Sequence, residues 1–310
     1  MEFLRSLLDG QGERALRLGR RGLELGPASR SAYNYAYQAM SLNRPAEALL
    51  ALDGIDPDLG EMRGWAQYWT QLSHANHLLG RFDREYVAAT EMRDRHPERR
   101  VASVLQARAL AARGDEAGLA TLLEGISALP PRTYWSYAGA LVVAGEELAA
   151  HGHESVSTPY LERAIDWLGA QLDVAPEDRS HRYWLGSAYY DLGRFEEARQ
   201  VFEGLAAEFP ERVDYRGLAA LAIGQLGDAT AARAILGERP PFDPGEYMSY
   251  RARLESVIGD PDRAIDLFSE ALDQRIAGLP WLHASARRDL WALADRPRFA
   301  RLLARAEEVP

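Results

Sequence analysis

Glycine and proline recur along this sequence at intervals close to 34 residues, and that interval constrains the fold more than any other feature. Gly193 to Gly227 spans 34 residues, as do Pro210 to Pro244 and Gly80 to Gly114; Pro97 to Pro130 spans 33 and Gly227 to Gly259 spans 32. Each interval holds two apolar stripes of helical period. The clearest copy runs over residues 179–210, RSHRYWLGSAYYDLGRFEEARQVFEGLAAEFP. Leu185, Gly186 and Tyr189 share one side of a first helix, and Ala198, Phe202 and Leu205 continue the stripe after a break at 191–194. Gly186 and Ala198 are small enough for two antiparallel helices to approach closely. Gly193 supplies a permissive backbone at the turn, and Pro210 stops the second helix. A helical hairpin cannot bury its apolar face alone, so repeated hairpins at this period predict a stack.

These residues resemble the tetratricopeptide repeat. In the 179–210 unit the match rests on Leu185, Gly186, Tyr189, Gly193, Ala198, Phe202 and Pro210, with Arg182 where a large apolar residue is usual. The 66–97 unit matches at Trp69, Leu72, Gly80 and Pro97 but departs at Ser73, Asn76 and Glu85. The 245–276 unit keeps Ala252, Gly259, Ala264, Phe268 and Ala271, whereas the 213–239 unit keeps Ala220, Gly227 and Ala232 and ends early near Gly237. Weaker copies carry Ala32, Ala36 and Ala48, then Ala107, Leu110 and Gly114; Gly10, Ala15, Gly22 and Pro27 fit a second half-unit, so the chain reads as starting inside a repeat. The resemblance implies an all-α solenoid of about seven or eight hairpins in a right-handed superhelix.

Four regions are expected: repeats over 1–131, an irregular longer hairpin with an insertion over 132–178, regular repeats over 179–276, and capping helices over 277–310. In the irregular region TYWSYAGALVVAGEELAAHG reads as a long first helix and HESVST as a loop, with Pro159 in the opening turn of the next helix. At the end, Trp281, Leu282, Leu290, Trp291, Leu293, Phe299 and Leu302 are expected to cover the last apolar face, which a solenoid requires. The stretch LWALADRPRFARLL resembles the closing segment of repeat arrays in bacterial signalling and transcription-regulatory proteins.

Composition narrows the function. The chain has 46 acidic against 36 basic residues, a formal net charge of −10, which argues against direct nucleic-acid binding because phosphate neutralisation needs a concentrated basic face. With no cysteine there is no disulfide, thiolate nucleophile or Cys-ligated metal. No apolar run reaches membrane-spanning length, and the N-terminus lacks a signal-peptide core, so the expectation is a cytoplasmic protein without membrane insertion.

The chain is read as non-enzymatic and without cofactor or metal. HExxH, P-loop, GxSxG and kinase patterns are absent. His74 and His77 stand one turn apart, but two imidazoles are too few for a metal site and read as groove-facing or exposed; His151 and His153 read as surface or loop residues. Arg93, Arg95, Arg99 and Arg100 read as a solvated helix end, Glu196–Glu197 as a solvated face, and Tyr134, Trp135 and Tyr137 as packing aromatics. The resemblance implies that residues between packing positions on each first helix point into a concave groove. Carried over, these are Tyr33, Tyr37, Thr70, His74, His77, Arg108, Tyr183, Ser187, Tyr190, Asp191, Ser249 and Arg253. Their mixture of aromatic and polar groups suits an extended peptide or partner helix. The function expected is therefore interaction or scaffolding with a protein or peptide partner, as a regulatory part of a bacterial signalling or transcription system. The alternatives are small-molecule or peptide effector sensing, and structural assembly by self-association.

Overall fold

In a computed structural model of the chain, residues 12–25, 29–127, 135–241, 243, 245–273 and 288–304 are described. Every regular element among them is helical. Helix α1 (Gly12–Leu25) precedes seven hairpins: α2 (Ser29–Ser41) with α3 (Pro45–Asp53), α4 (Ala66–Leu78) with α5 (Phe82–Arg95), α6 (Val101–Ala112) with α7 (Glu116–Ser127), α8 (Tyr137–Ala150) with α9 (Glu154–Leu172), α10 (Arg179–Asp191) with α11 (Phe195–Glu208), α12 (Val213–Gln225) with α13 (Ala229–Leu236), and α14 (Glu246–Val257) with α15 (Pro261–Asp273). A 3-10 turn, Arg288–Leu293, and α16 (Pro297–Ala304) close the described chain.

One backbone device makes every hairpin. The turn residue is left-handed in all seven: Asn43 (φ 54°), then Gly80, Gly114, Gly152, Gly193, Gly227 and Gly259. The residue after it returns its N–H to the carbonyl five positions back, as in Arg81 to Asn76 (2.8 Å), His153 to Leu148 (2.8 Å) and Arg194 to Tyr189 (2.8 Å). This is the Schellman closure, which satisfies carbonyls the helix end leaves free. Where Asp follows the glycine, its side chain starts the second helix, with Asp115, Asp228 and Asp260 accepting from the N–H groups of Gly118, Ala231 and Arg263.

Five residues past each turn stands a buried position that sets how closely the two helices approach. It is occupied in order by Ala48, Glu85, Leu119, Ser157, Ala198, Ala232 and Ala264, all buried. Opposite Ala198 in the fifth hairpin, Gly186 lies so close to Phe202 that a Cβ there would come within 2.7 Å of the ring. The expected stripe is in place, since Ala198, Phe202 and Leu205 are fully buried.

The irregular hairpin differs from its sequence reading. Its first helix, α8, has 14 residues, and the long helix is the second, α9, with 19. Residues 154–158 form the opening turns of α9 instead of a loop, and Pro159 lies inside that helix. The turn at Gly152 carries the Schellman closure, so the hairpin is of the ordinary kind and the added length sits in α9. At the chain's end Leu290, Leu293 and Phe299 are buried in one core with α14 and α15, and Leu302 packs on it partly buried. Trp281, Leu282 and the side chain of Trp291 lie outside the described residues.

Candidate functional site

First helices of successive hairpins touch one another, α2 with α4, α4 with α6, α6 with α8, α8 with α10 and α12 with α14, whereas no two second helices make comparable contact. The row of first helices is therefore the tighter side of the stack, and its exposed positions are the candidate partner surface.

The twelve groove candidates divide by burial. Tyr37 is 42 % exposed, and Thr70, His74, Tyr183, Ser187, Asp191 and Ser249 are partly exposed. Tyr33, His77, Arg108, Tyr190 and Arg253 are buried. Tyr33 packs edge-on to Trp65 with ring centroids 5.8 Å apart. Tyr190 receives a 3.4 Å hydrogen bond from Gln225 of α12, and burial, reinforced by Asp289, pushes its phenol pKa well up. Arg253 donates to Asp289 of the 3-10 turn, a pair with both members buried.

Two candidates, His77 and Arg108, meet in a buried ion network joining three hairpins. His77 on α4 places Nδ1 2.8 Å from Glu85 Oε2 on α5 and Nε2 3.2 Å from Glu147 Oε1 on α8. Arg108 on α6 donates from Nε to Glu85 Oε1 at 2.6 Å. His151, at the end of α8, places Nε2 3.6 Å from Glu147 Oε2. With His77 protonated, an imidazolium and a guanidinium balance two carboxylates, and both ring N–H groups donate. The reading of His74 and His77 as a groove-facing or exposed pair is corrected for His77, which is buried and engaged at both nitrogens. Among the described residues no group of three or more His, Asp or Glu is placed to hold a metal ion.

The electrostatics follow from this wiring. Burial and Arg108 push His77 down, but Glu147 and Glu85 outweigh them and its pKa is raised. Burial, Arg108 and His77 act together on His74 and hold it well below its usual value. Burial would raise Glu147, yet His77, His151 and Arg108 keep it below the usual carboxylate range. Two histidines one turn apart are thus shifted in opposite directions.

The network was partly legible in the sequence. Glu85 occupies the position that is Ala48, Ala198, Ala232 and Ala264 in other hairpins, so a charge is forced into the core there. A buried carboxylate requires compensating cations, and His77 and Arg108 on the flanking first helices supply them. Glu147, on the apolar helix α8, carried no such signal. Nor did Glu47, which is buried and accepts from Arg20 on α1 and from Tyr35 on α2, whose phenol pKa burial and Glu47 push up to about 12. The remaining charged and aromatic readings find ordinary partners. Arg93 donates to Gln106 at 3.0 Å, Arg95 pairs with Glu91 and Asp58, and Glu196 pairs with Arg199 on an exposed face. Tyr137 is buried and Trp135 packs against the same core beside Trp184, while Tyr134 lies outside the described residues.

Residues 161–222 match the tetratricopeptide repeat family. This span takes in most of α9, the α10–α11 hairpin and most of α12. Over this span the chain carries the tetratricopeptide repeat. Arrays of this kind serve in general as protein–protein interaction scaffolds. No relative was found among curated proteins. Similar solved structures include a tetratricopeptide repeat protein from Parabacteroides merdae (14% identity, TM-score 0.44, 91% of this chain and 100% of that one) and yeast Tom70 (14%, 0.37, 98% and 76%). The Naa15/Naa10 complex bound to HypK-THB is similar at 15% identity and TM-score 0.32, over 98% of this chain and 53% of that one. No helix among the described residues is long and apolar enough to cross a membrane.

Proposed function

We propose that this tetratricopeptide array binds an extended peptide or a helix of a protein partner along its row of first helices. The observation that carries this reading is the row itself. First helices touch along the stack and present Tyr37, Thr70, Tyr183, Ser187, Asp191 and Ser249 with partial exposure. Aromatic area with interspersed hydroxyls and one carboxylate supplies both contact surface and register. The row is held by packed hairpins, so a partner meets a preformed surface and ordering costs fall on the partner alone. Buried Tyr190, His77, Arg108 and Arg253 support the row from within. We read no enzymatic activity into it. The resemblance of residues 290–303 to closing segments of bacterial regulatory arrays supports a place in a signalling or transcription system. Self-association is the less supported reading, because the exposed large apolar residues Tyr37, Leu50, Leu59, Val87, Val174 and Leu226 are scattered over separate elements and turns.

The test is affinity capture from extract of the source cells with wild-type protein and with a Tyr37→Ala/Ser187→Arg variant, both shown to have the same melting temperature. The expected outcome is one dominant protein recovered by the wild type and lost by the variant. Recovery unchanged in the variant, with loss instead on Leu226→Arg at a hairpin turn, would move the interaction off the first-helix row.

A further inference from the structure

The second helix of the sixth hairpin is short. α13 ends at Leu236 after 8 residues, where α5 and α11 each run for 14. Gly237 (φ 72°, ψ −157°) turns the chain out of the helix. Elsewhere a second helix lies against the next first helix, as α5 does on α6, α9 on α10 and α11 on α12. α13 makes no comparable contact with α14, which packs on α12 instead. The truncation leaves a cleft of about 350 Å³ between them, with Leu236 and Leu254 as apolar wall and Tyr247, Arg233, Arg239 and Arg251 around it.

The cleft carries cations that the protein does not fully use. Arg233 pairs with Glu255 at 2.8 Å and Arg239 with Asp243 at 3.1 Å. Arg251, half-buried, has no ion-pair or hydrogen-bond partner among the described residues. Arg216 of α12 backs the wall, its Nη1 so near Gly237 that a Cβ there would come within 2.9 Å, and its Nε is buried without a partner. The cleft is thus lined by three guanidiniums, of Arg233, Arg239 and Arg251, and two carboxylates, of Glu238 and Glu255, one positive charge in surplus on a chain of net charge −10. Arg253, a groove candidate, lies on the same helix as Arg251. Two residues are about 200° apart on an α-helix, so Arg253 turns inward to Asp289 while Arg251 faces the cleft.

We propose that this cleft is a carboxylate-binding subsite, taking an Asp or Glu side chain from an acidic peptide segment of the partner on the Arg251 guanidinium. A planar guanidinium binds a carboxylate by two parallel hydrogen bonds. One surplus charge matches a carboxylate and falls short of a phosphate dianion. The volume lies at the low end of the roughly 300–1,000 Å³ of ligand pockets, room for one or two side chains packed on Leu236 and Leu254. The subsite rests on the interaction reading above, and adds that the partner is acidic where it crosses α14.

The purified chain is tested by fluorescence anisotropy with a labelled hexaglutamate peptide at 50 and 300 mM salt. Wild type is expected to bind saturably and more weakly at high salt. Arg251→Ala should lose at least tenfold in affinity, and Arg251→Lys, which keeps the charge without the fork, should fall between. Arg251→Ala is expected to keep the wild-type melting temperature, since nothing in the core depends on it. Unlabelled glutarate should compete only weakly. Absence of saturable binding by wild type, or equal affinity in Arg251→Ala, overturns the subsite. Glutarate binding as tightly as the peptide overturns the peptide assignment in favour of a small carboxylate. Because the probe is synthetic, this result is independent of the capture experiment: hexaglutamate binding that survives Tyr37→Ala/Ser187→Arg leaves the subsite standing even if the row reading fails.

Discussion

A single residue departs most sharply from the repeat grammar, and its consequences are measurable. Glu85 replaces the small residue that lets the two helices of a hairpin close, and it is held by His77 and Arg108. Glu85→Ala restores the residue found in four other hairpins, so packing logic alone predicts a gain. The charge argument predicts the reverse, because Arg108 would stay buried without its partner, at a cost of about 3–5 kcal/mol. Urea unfolding decides between them, and a loss of that size is expected. The histidines add a pH signature. His77, raised above 6.5, contributes stability in full below that pH and loses it as pH rises through the folded value. His74, held below 6.5, contributes above that pH and loses it as pH falls. Glu147, held low, adds a further loss only as pH drops below the ordinary glutamate value of 4.5. Stability should peak near pH 6.5. His77→Gln should flatten the alkaline limb, and His74→Gln the limb below pH 6.5. Equal limbs in wild type and both variants would show that neither histidine titrates differently on folding.

Among the elements, close helix contacts depend on glycines whose neighbours differ. Gly217 on α12 faces the Tyr250 ring on α14, inside the space a Cβ would need. Gly169 on α9 faces open space. Gly217→Ala should therefore destabilise by about 1–3 kcal/mol or more through overpacking, and Gly169→Ala should stabilise by about 0.5–1 kcal/mol through helix propensity. Paired thermal melts check both signs at once. The element scale is also where the sequence was most legible. Gly80, Gly114, Gly193, Gly227 and Gly259 mark turns directly, because left-handed backbone favours glycine. Asn43 at the same position escaped notice, since asparagine tolerates that conformation but is common elsewhere. Gly152 was hidden for another reason: it stands 38 residues after Gly114 and 41 before Gly193, off the 34-residue period on both sides. The acidic network resisted because its members come from α4, α5, α6 and α8, and sequence order does not say which helices meet. Arg251 and Arg253 show the same limit on a smaller scale, since spacing separates their faces without saying which face is buried.

A stack of hairpins responds to damage differently from a globular domain. Apart from the His77–Glu147 contact between the second and fourth hairpins, each hairpin packs mainly on its neighbours, so stability is close to a sum of local terms. The Arg253–Asp289 pair, with Leu290, Leu293 and Phe299, holds the last described segment against α14 and α15, while the His77 network joins hairpins at the other end of the array. These two fixtures share no residue and no hairpin. Asp289→Ala leaves Arg253 buried and unpaired, and its cost should fall on the closing hairpin. Native-state hydrogen exchange is expected to show amide protection lost in α14 and α15, with α4 to α6 unchanged. Glu85→Ala should give the mirror pattern, loosening α4 to α8 and sparing α14. Protection lost evenly along the whole chain in either variant would mean that the array unfolds as one cooperative unit. In that case the first-helix row would be a single rigid surface. With local loss, a partner that bridges both ends would bind segments of independent stability and would itself couple them.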